Sequence, residues 1–195
     1  MGIPLIVKLT SKAWSLKILA LLHAGIPGRQ APLIAATTAS RTAFASSLEH
    51  LLELGFLERN PGHGHPLRPE FRLTPKGVEA AAMASRILDL VPDDDAFAVV
   101  KRSWAVPVLA VTGAPQRFSA IKAGLGPITD RALSQSLGLL EDRNWLKREI
   151  NLSERSPYPV YQAVNTGQQI NRAIGLSFWR EMGAGADFPV VTGSS

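Results

Sequence analysis

The sequence has no cysteine, two tyrosines and three methionines, and charged residues make up 19% of its 195 positions. Without cysteine there is no disulfide, no thiolate metal site and no thiol nucleophile or sensor, and the chain suits a reducing cytoplasm. The charged fraction lies below the about 25% of an average globular chain. Hydrophobic residues still reach 46%, enough for packed cores, so a disordered chain is excluded. No apolar run approaches the roughly 18 residues of a membrane-spanning helix. No basic stretch followed by an apolar core and a cleavage site opens the sequence, so no secretory signal is expected. Gly-x-Ser-x-Gly, P-loop and dinucleotide-binding fingerprints are all missing. His63 and His65 form a loop pair, but only His23 and His50 remain to support them, and zinc needs three or four ligands. The reading is therefore no enzyme, no metal and no cofactor.

What the chain does have is a basic balance, a net charge of +5 with pI near 9.9, which favours polyanionic partners. Residues 1–92 hold 10 Lys/Arg against 6 Asp/Glu, and residues 93–195 hold 11 against 10. The most patterned stretch is 116–161. A short helix over 119–125 is broken at Gly124-Leu125-Gly126-Pro127, and a second helix begins near Thr129. In that second helix Leu133, Leu137 and Leu140 recur at i, i+4 and i+7 and share one face. Arg131, Gln135 and Gly138 fall opposite, with Ser134 at their flank. Thr129 stands where an N-cap belongs, and Asp130 suits the helix dipole but opposes a phosphate. Arg, Gln and Ser side chains hydrogen-bond base edges in a major groove. A solvated amphipathic helix explains the same residues, until the hairpin expected over 145–163 is added. A helix-turn-helix followed by a β-wing is a DNA-binding arrangement.

Arg117-Phe118-Ser119, Ile128-Thr129, Arg131-Ala132-Leu133-Ser134, Leu137, Leu140-Glu141 and Pro159-Val160-Tyr161 resemble the HxlR-type winged-helix transcriptional regulators. More loosely, they are similar to the MarR-like group. The resemblance covers about half of the chain well. It implies a homodimeric operator binder, with the second helix in the major groove and the wing near the backbone. Many relatives carry a cysteine near the first helix, and here there is none, so thiol sensing is not implied.

An internal repeat extends the pattern. With Trp14 placed over Trp104, Phe71-Arg72-Leu73-Thr74-Pro75-Lys76-Gly77 falls over Tyr161-Gln162-Ala163-Val164-Asn165-Thr166-Gly167, both at an offset of 90 residues. Phe44, Leu48 and Leu51 fall over Leu133, Leu137 and Leu140 after a one-residue gap. The expected fold is α+β, mainly α, with two tandem winged helix-turn-helix domains over 1–92 and 93–185, a shared helical layer, and a flexible tail over 186–195. In order, we expect an apolar lead over 1–10, one helix over 11–24, a short helix over 31–36 and a first reading helix over 40–54. A wing then spans 56–73, and a helix 76–90 packs closely through Ala80-Ala81-Ala82-Met83-Ala84. The run Asp93-Asp94-Asp95 starts a helix, Ser103 caps another that contains Pro107, and a last helix over 168–182 carries Ile170, Ile174, Phe178 and Trp179.

The residues expected at DNA are Thr129, Arg131, Ser134, Gln135 and Gly138 of the second reading helix, with Arg155, Ser156 and Tyr158 of its wing. In the first half they are Ser40, Arg41, Thr42 and Ser46, with His63, His65 and Arg68 at the wing tip. Glu49 and Glu53 oppose deep entry of that first helix into a groove. The expected partner is double-stranded operator DNA, bound by a monomeric pseudo-dimer or a homodimer in the cytoplasm. A small-molecule effector between the central helices is compatible with this layout. The competing function is a winged-helix protein–protein interaction module.

Overall fold

The computed structural model describes residues 2–60, 69–152 and 156–175. Among these, ten helices and five strands follow one another: α1 (Ile3–Thr10), α2 (Ser15–His23), α3 (Gln30–Thr37), α4 (Arg41–Glu53), β1 (Leu57–Asn60), β2 (Glu70–Leu73) and α5 (Pro75–Asp89). Then come α6 (Asp94–Val100), α7 (Ala105–Val111), β3 (Gln116–Arg117), α8 (Phe118–Leu125), α9 (Asp130–Asp142), β4 (Leu146–Asn151), β5 (Tyr158–Ala163) and α10 (Asn165–Ile174). The fold is α+β and mainly helical, with small antiparallel sheets. No helix among the described residues is long and apolar enough to cross a membrane.

The apolar lead is a helix of its own, and the single helix expected over 11–24 is broken at 11–14. Polar side chains end α1. Thr10 Oγ1 donates to Ile6 O and to Ser103 O, Ser11 Oγ donates to Lys8 O, and His50 Nε2 lies 2.7 Å from the same carbonyl. Carbonyls that would continue the helix are thereby satisfied without it. Ile3, Ile6 and Leu9 are buried, where α1 lies on α7 and α8. On the other side, Phe97 of α6 meets Trp14 at the start of α2, ring centroids 5.5 Å apart, under Lys17 and Lys101. So the first helix packs on the later part of the chain and α6 packs on the earlier part.

Helices α5, α2 and α10 form the centre. Thr74 caps α5 by accepting from Gly77 N, and Pro75 takes a first-turn position where its missing N–H is not needed. Gly77, Ala80, Ala81 and Ala84 are buried and let neighbouring helices approach. Arg86 donates from Nε and Nη2 to Ala173 O, closing the end of α10. Asp93 caps α6 through Ala96 N at 2.7 Å, with Asp94 and Asp95 in the first turn, as the acidic run suggests. Trp104, rather than Ser103, precedes α7, and all seven residues of that helix are buried. Pro107 occurs in its first turn, where the N–H groups have no intrahelical partner. Asn171 of α10 donates to Leu109 O and Ala110 O at the other end.

The β1–β2 hairpin pairs Leu57 with Leu73 through Asn60 with Glu70. The second sheet has three strands in the order β3-β5-β4. Its edge, β3, was not expected from the sequence; two residues are too few for a periodicity. The extra pairing has a small counterpart in the Arg29–Glu70 bridge, beside which Phe71 N donates to Gly28 O. The last helix begins at Asn165, earlier than expected; Phe178, Trp179 and everything beyond Gly175 lie outside the described residues.

One buried polar atom stands out. Ser15 is fully buried, and its Oγ has no hydrogen-bond partner among the described residues. At an offset of 90 residues the chain has Ala105, also buried. An unsatisfied buried hydroxyl costs about 1–3 kcal/mol. Ser15→Ala is expected to raise stability by about 1 kcal/mol, read as a higher midpoint in urea with an unchanged slope.

Candidate nucleic-acid interface

Helices α8 and α9 meet through a tight turn. Gly126 takes φ +75, a conformation that favours glycine, and Ile128 is buried beneath the turn. Thr129 Oγ1 then accepts from Ala132 N at 3.2 Å, which fixes the start of α9. Lys122 Nζ of α8 reaches Asp130 Oδ1 at 2.6 Å, so the carboxylate that opposed a phosphate is ion-paired to its neighbouring helix. Leu133, Leu137 and Leu140 are buried at 0%, 2% and 0% exposure and hold α9 on the core. Arg131, Ser134 and Gln135 are exposed and Gly138 is half-buried. A Cβ built on Gly138 meets nothing within 4 Å, so its surface is open. The Arg131 side chain has no ion-pair partner among the described residues.

The hairpin that follows occupies the expected stretch, with strands over Leu146–Asn151 and Tyr158–Ala163. Strand β4 runs to Asn151, which pairs with Tyr158. Ser156 is exposed at the turn, while Arg155 lies outside the described residues. Tyr158 is half-buried, and the Arg117 guanidinium lies 3.5 Å from its ring centroid. The ring is thus engaged by a cation, and the pair places an arginine beside the wing that sequence reasoning missed. Strand β3 puts it there, since Arg117 pairs with Val160 across the sheet. Ile150 and Leu152 are exposed apolar residues near the same tip.

The earlier helix-turn-strand region carries a different face. Ser40 Oγ accepts from Ala43 N at 3.3 Å and caps α4. Arg41, Thr42 and Ser46 are exposed, but so are Glu49 and Glu53 on the same outer side. Arg59 of β1 reaches Glu49 at 3.9 Å. His63, His65 and Arg68 lie outside the described residues. Ser40 and Thr129 therefore stabilise helix starts through their hydroxyl oxygens, and each keeps its hydroxyl proton and a second lone pair.

A cavity of about 160 Å³ lies where the end of α5 meets α6 and the end of α3, lined by Lys17, Thr37, Leu88, Asp94 and Phe97 among others. This is between two of the helices expected to hold an effector, but it falls below the roughly 300–1,000 Å³ of small-molecule sites. No cluster of metal-ligating side chains occurs among the described residues.

A helix-turn-helix with an antiparallel hairpin behind it defines the winged helix-turn-helix class. Residues 99–183 match the family model described as HxlR-like helix-turn-helix, a family of DNA-binding transcription regulators. The match begins inside α6 and takes in all of α7 to α10, so residues 2–98 lie outside it. No curated protein matches the chain, and no solved structure does.

Proposed function

We propose that this chain is a DNA-binding transcriptional regulator that reads an operator through two winged helices arranged as an internal pseudo-dimer. The observation that carries the proposal is the outer face of α9: Arg131 and Gln135 are exposed and Gly138 is open, within the segment similar to a DNA-binding family. Thr129, Ser134, Ser156 and Tyr158 flank that face or its wing, and Arg155 belongs to the same tip.

The division into 1–92 and 93–185 draws support from details that recur. Trp14 and Trp104 precede α2 and α7 with φ −104 and φ −103. Gly55 and Asn144 follow α4 and α9 in the left-handed region, at φ 69 and φ 55. Thr74 N and Val164 N donate to Phe56 O and Trp145 O. The packing is reciprocal as well: α1 on α7, α6 on α2, and α5 against its counterpart α10. A twofold relation between halves generates such exchanges. In dimeric helix-turn-helix proteins the reading helices are spaced by roughly 34 Å along the duplex. Here Ser40, Arg41, Thr42 and Ser46, with His63, His65 and Arg68, would meet the second half-site. Because Glu49 stands where the other half has Gly138, while Glu53 and Asp142 match as carboxylates, the two half-sites differ.

Selection of binding duplexes from a randomised pool, followed by gel shift, tests this. The expected result is an asymmetric site with one strongly specified half. No retardation of any duplex at low salt overturns the function. Glu49 and Glu53 favour a second reading for the first half alone, a contact surface for a basic protein partner, which a selected site with only one specified half and no flanking preference would support.

A further inference from the structure

We propose that a groove on the flank of α9 seats a backbone phosphate of bound DNA and that Arg102 is its anchoring cation; this rests on the DNA-binding reading above. The groove holds about 470 Å³ between residues 102–104 and α9. Arg102, Ser103, Trp104, Gln135, Ser136 and Leu139 line it, and no carboxylate does. On α9 the lining positions 132, 135, 136 and 139 form one stripe at i, i+3, i+4 and i+7. Gln135 belongs both to this stripe and to the outward face with Arg131 and Gly138. The groove is therefore continuous with the reading face and lies to one side of it. A helix in a major groove about 12 Å wide has a sugar-phosphate strand on each flank, and this is where one of them runs.

The donors are the Arg102 guanidinium and the Ser103 hydroxyl, with Gln135 at the rim turned to the reading face. The Ser136 hydroxyl is not available, because it donates to Ala132 O at 2.8 Å. Arg102 is exposed and has no ion-pair partner among the described residues. Elsewhere in this half Lys122 is paired with Asp130, Lys147 with Glu149, and Arg143 donates to Asp95 O, while Arg131, unpaired among the described residues, belongs to the reading face. Half-buried Trp104 and Leu139 give the groove an apolar floor that limits solvent at the anion.

The first half lacks this arrangement. At the matching positions stand Lys12, Ala13, Trp14, Ser46, Ser47 and His50. His50 spans from α4 to the end of α1, 2.7 Å from Lys8 O and 3.1 Å from Ser11 Oγ. Ser47 Oγ accepts from Trp14 N. The imidazole and hydroxyl are thus tied to protein atoms, where Leu139 and an open groove occur in the second half. The phosphate seat belongs to the head that also carries Arg131.

Fluorescence anisotropy with the full chain, on a selected duplex and on a random one, decides the matter when repeated across salt. Arg102→Ala is expected to weaken both duplexes equally, by about tenfold, and to lower the log–log salt slope by about 0.9, without changing the selected sequence. Arg102→Lys restores the slope. Lys12→Ala, the exposed counterpart, leaves it unchanged. If the wild type binds and Arg131→Ala with Gln135→Ala loses sequence preference, but Arg102→Ala keeps the full slope, the phosphate seat is wrong and the regulator reading stands. If the wild type binds no duplex, both fall.

Discussion

Gly167→Ala is expected to lower stability by about 3 kcal/mol or more, and Gly77→Ala to do the same. Propensity alone predicts the opposite sign, since alanine in a helix interior is favoured over glycine by about 1 kcal/mol. Contact geometry decides against it. A Cβ on Gly167 would lie 2.0 Å from Trp145 O, and one on Gly77 would lie 1.9 Å from Phe56 O. Both obstacles are backbone oxygens, which cannot rotate away. Each oxygen also accepts a ladder-end hydrogen bond, from Val164 N at 2.9 Å and from Thr74 N at 3.1 Å. Relief of the overlap must move the first turn of α10 or α5 off the hairpin, and buried Ile170 or Ala80 with it. Gly138→Ala is the internal control, because nothing lies within 4 Å of its Cβ and the propensity term acts alone. Urea unfolding of the three variants, followed by circular dichroism, should show two large losses and one small gain. Equal behaviour of Gly167→Ala and Gly138→Ala would mean that the helix–hairpin junction is not as close as described.

The same two glycines explain why so much of this fold was legible in the sequence. Gly77 and Gly167 follow a strand and a helix start in both halves, and Leu133, Leu137 and Leu140 repeat at helical spacing within the thirteen residues of α9. Local chemistry of that kind is written in neighbouring residues. What was not legible depends on partners far apart in the chain. The break between α1 and α2 is held by Thr10 bonding Ser103 O and by His50 bonding Lys8 O, and nothing near residue 11 announces either. Strand β3 exists only because β5 supplies its partners, and it is β3 that carries Arg117 to Tyr158. At the candidate site, the outward residues of α9 followed from periodicity, whereas the ion pair that engages Asp130 needed the turn geometry. Net charge by halves does not carry over to the helix faces: α4 exposes Glu49 and Glu53 beside Arg41, and α9 exposes Asp130 and Asp142 beside Arg131.

Arg131→Ala combined with Gln135→Ala is expected to abolish sequence-specific binding while leaving folding intact. Each bidentate base contact contributes about 1–3 kcal/mol of discrimination, so losing two lowers specific affinity by roughly thirtyfold to more than ten-thousandfold. Folding should survive for reasons visible in the structure. Both side chains are exposed, both lie opposite the buried leucines, and alanine is the better helix former at each. The measurement is a gel shift on the selected site beside a random duplex, with unfolding curves for the same preparations. Binding to the random duplex should fall far less, because the net charge of +5 drops only by one and phosphate contacts carry no sequence. This separation is what an interaction module cannot reproduce: a protein that meets another protein through α9 has no operator preference to lose. Equal retention of specific affinity by the double variant would move the reading head away from α9. It would leave the wing, where Arg117 is stacked on Tyr158, as the surface that reads the sequence.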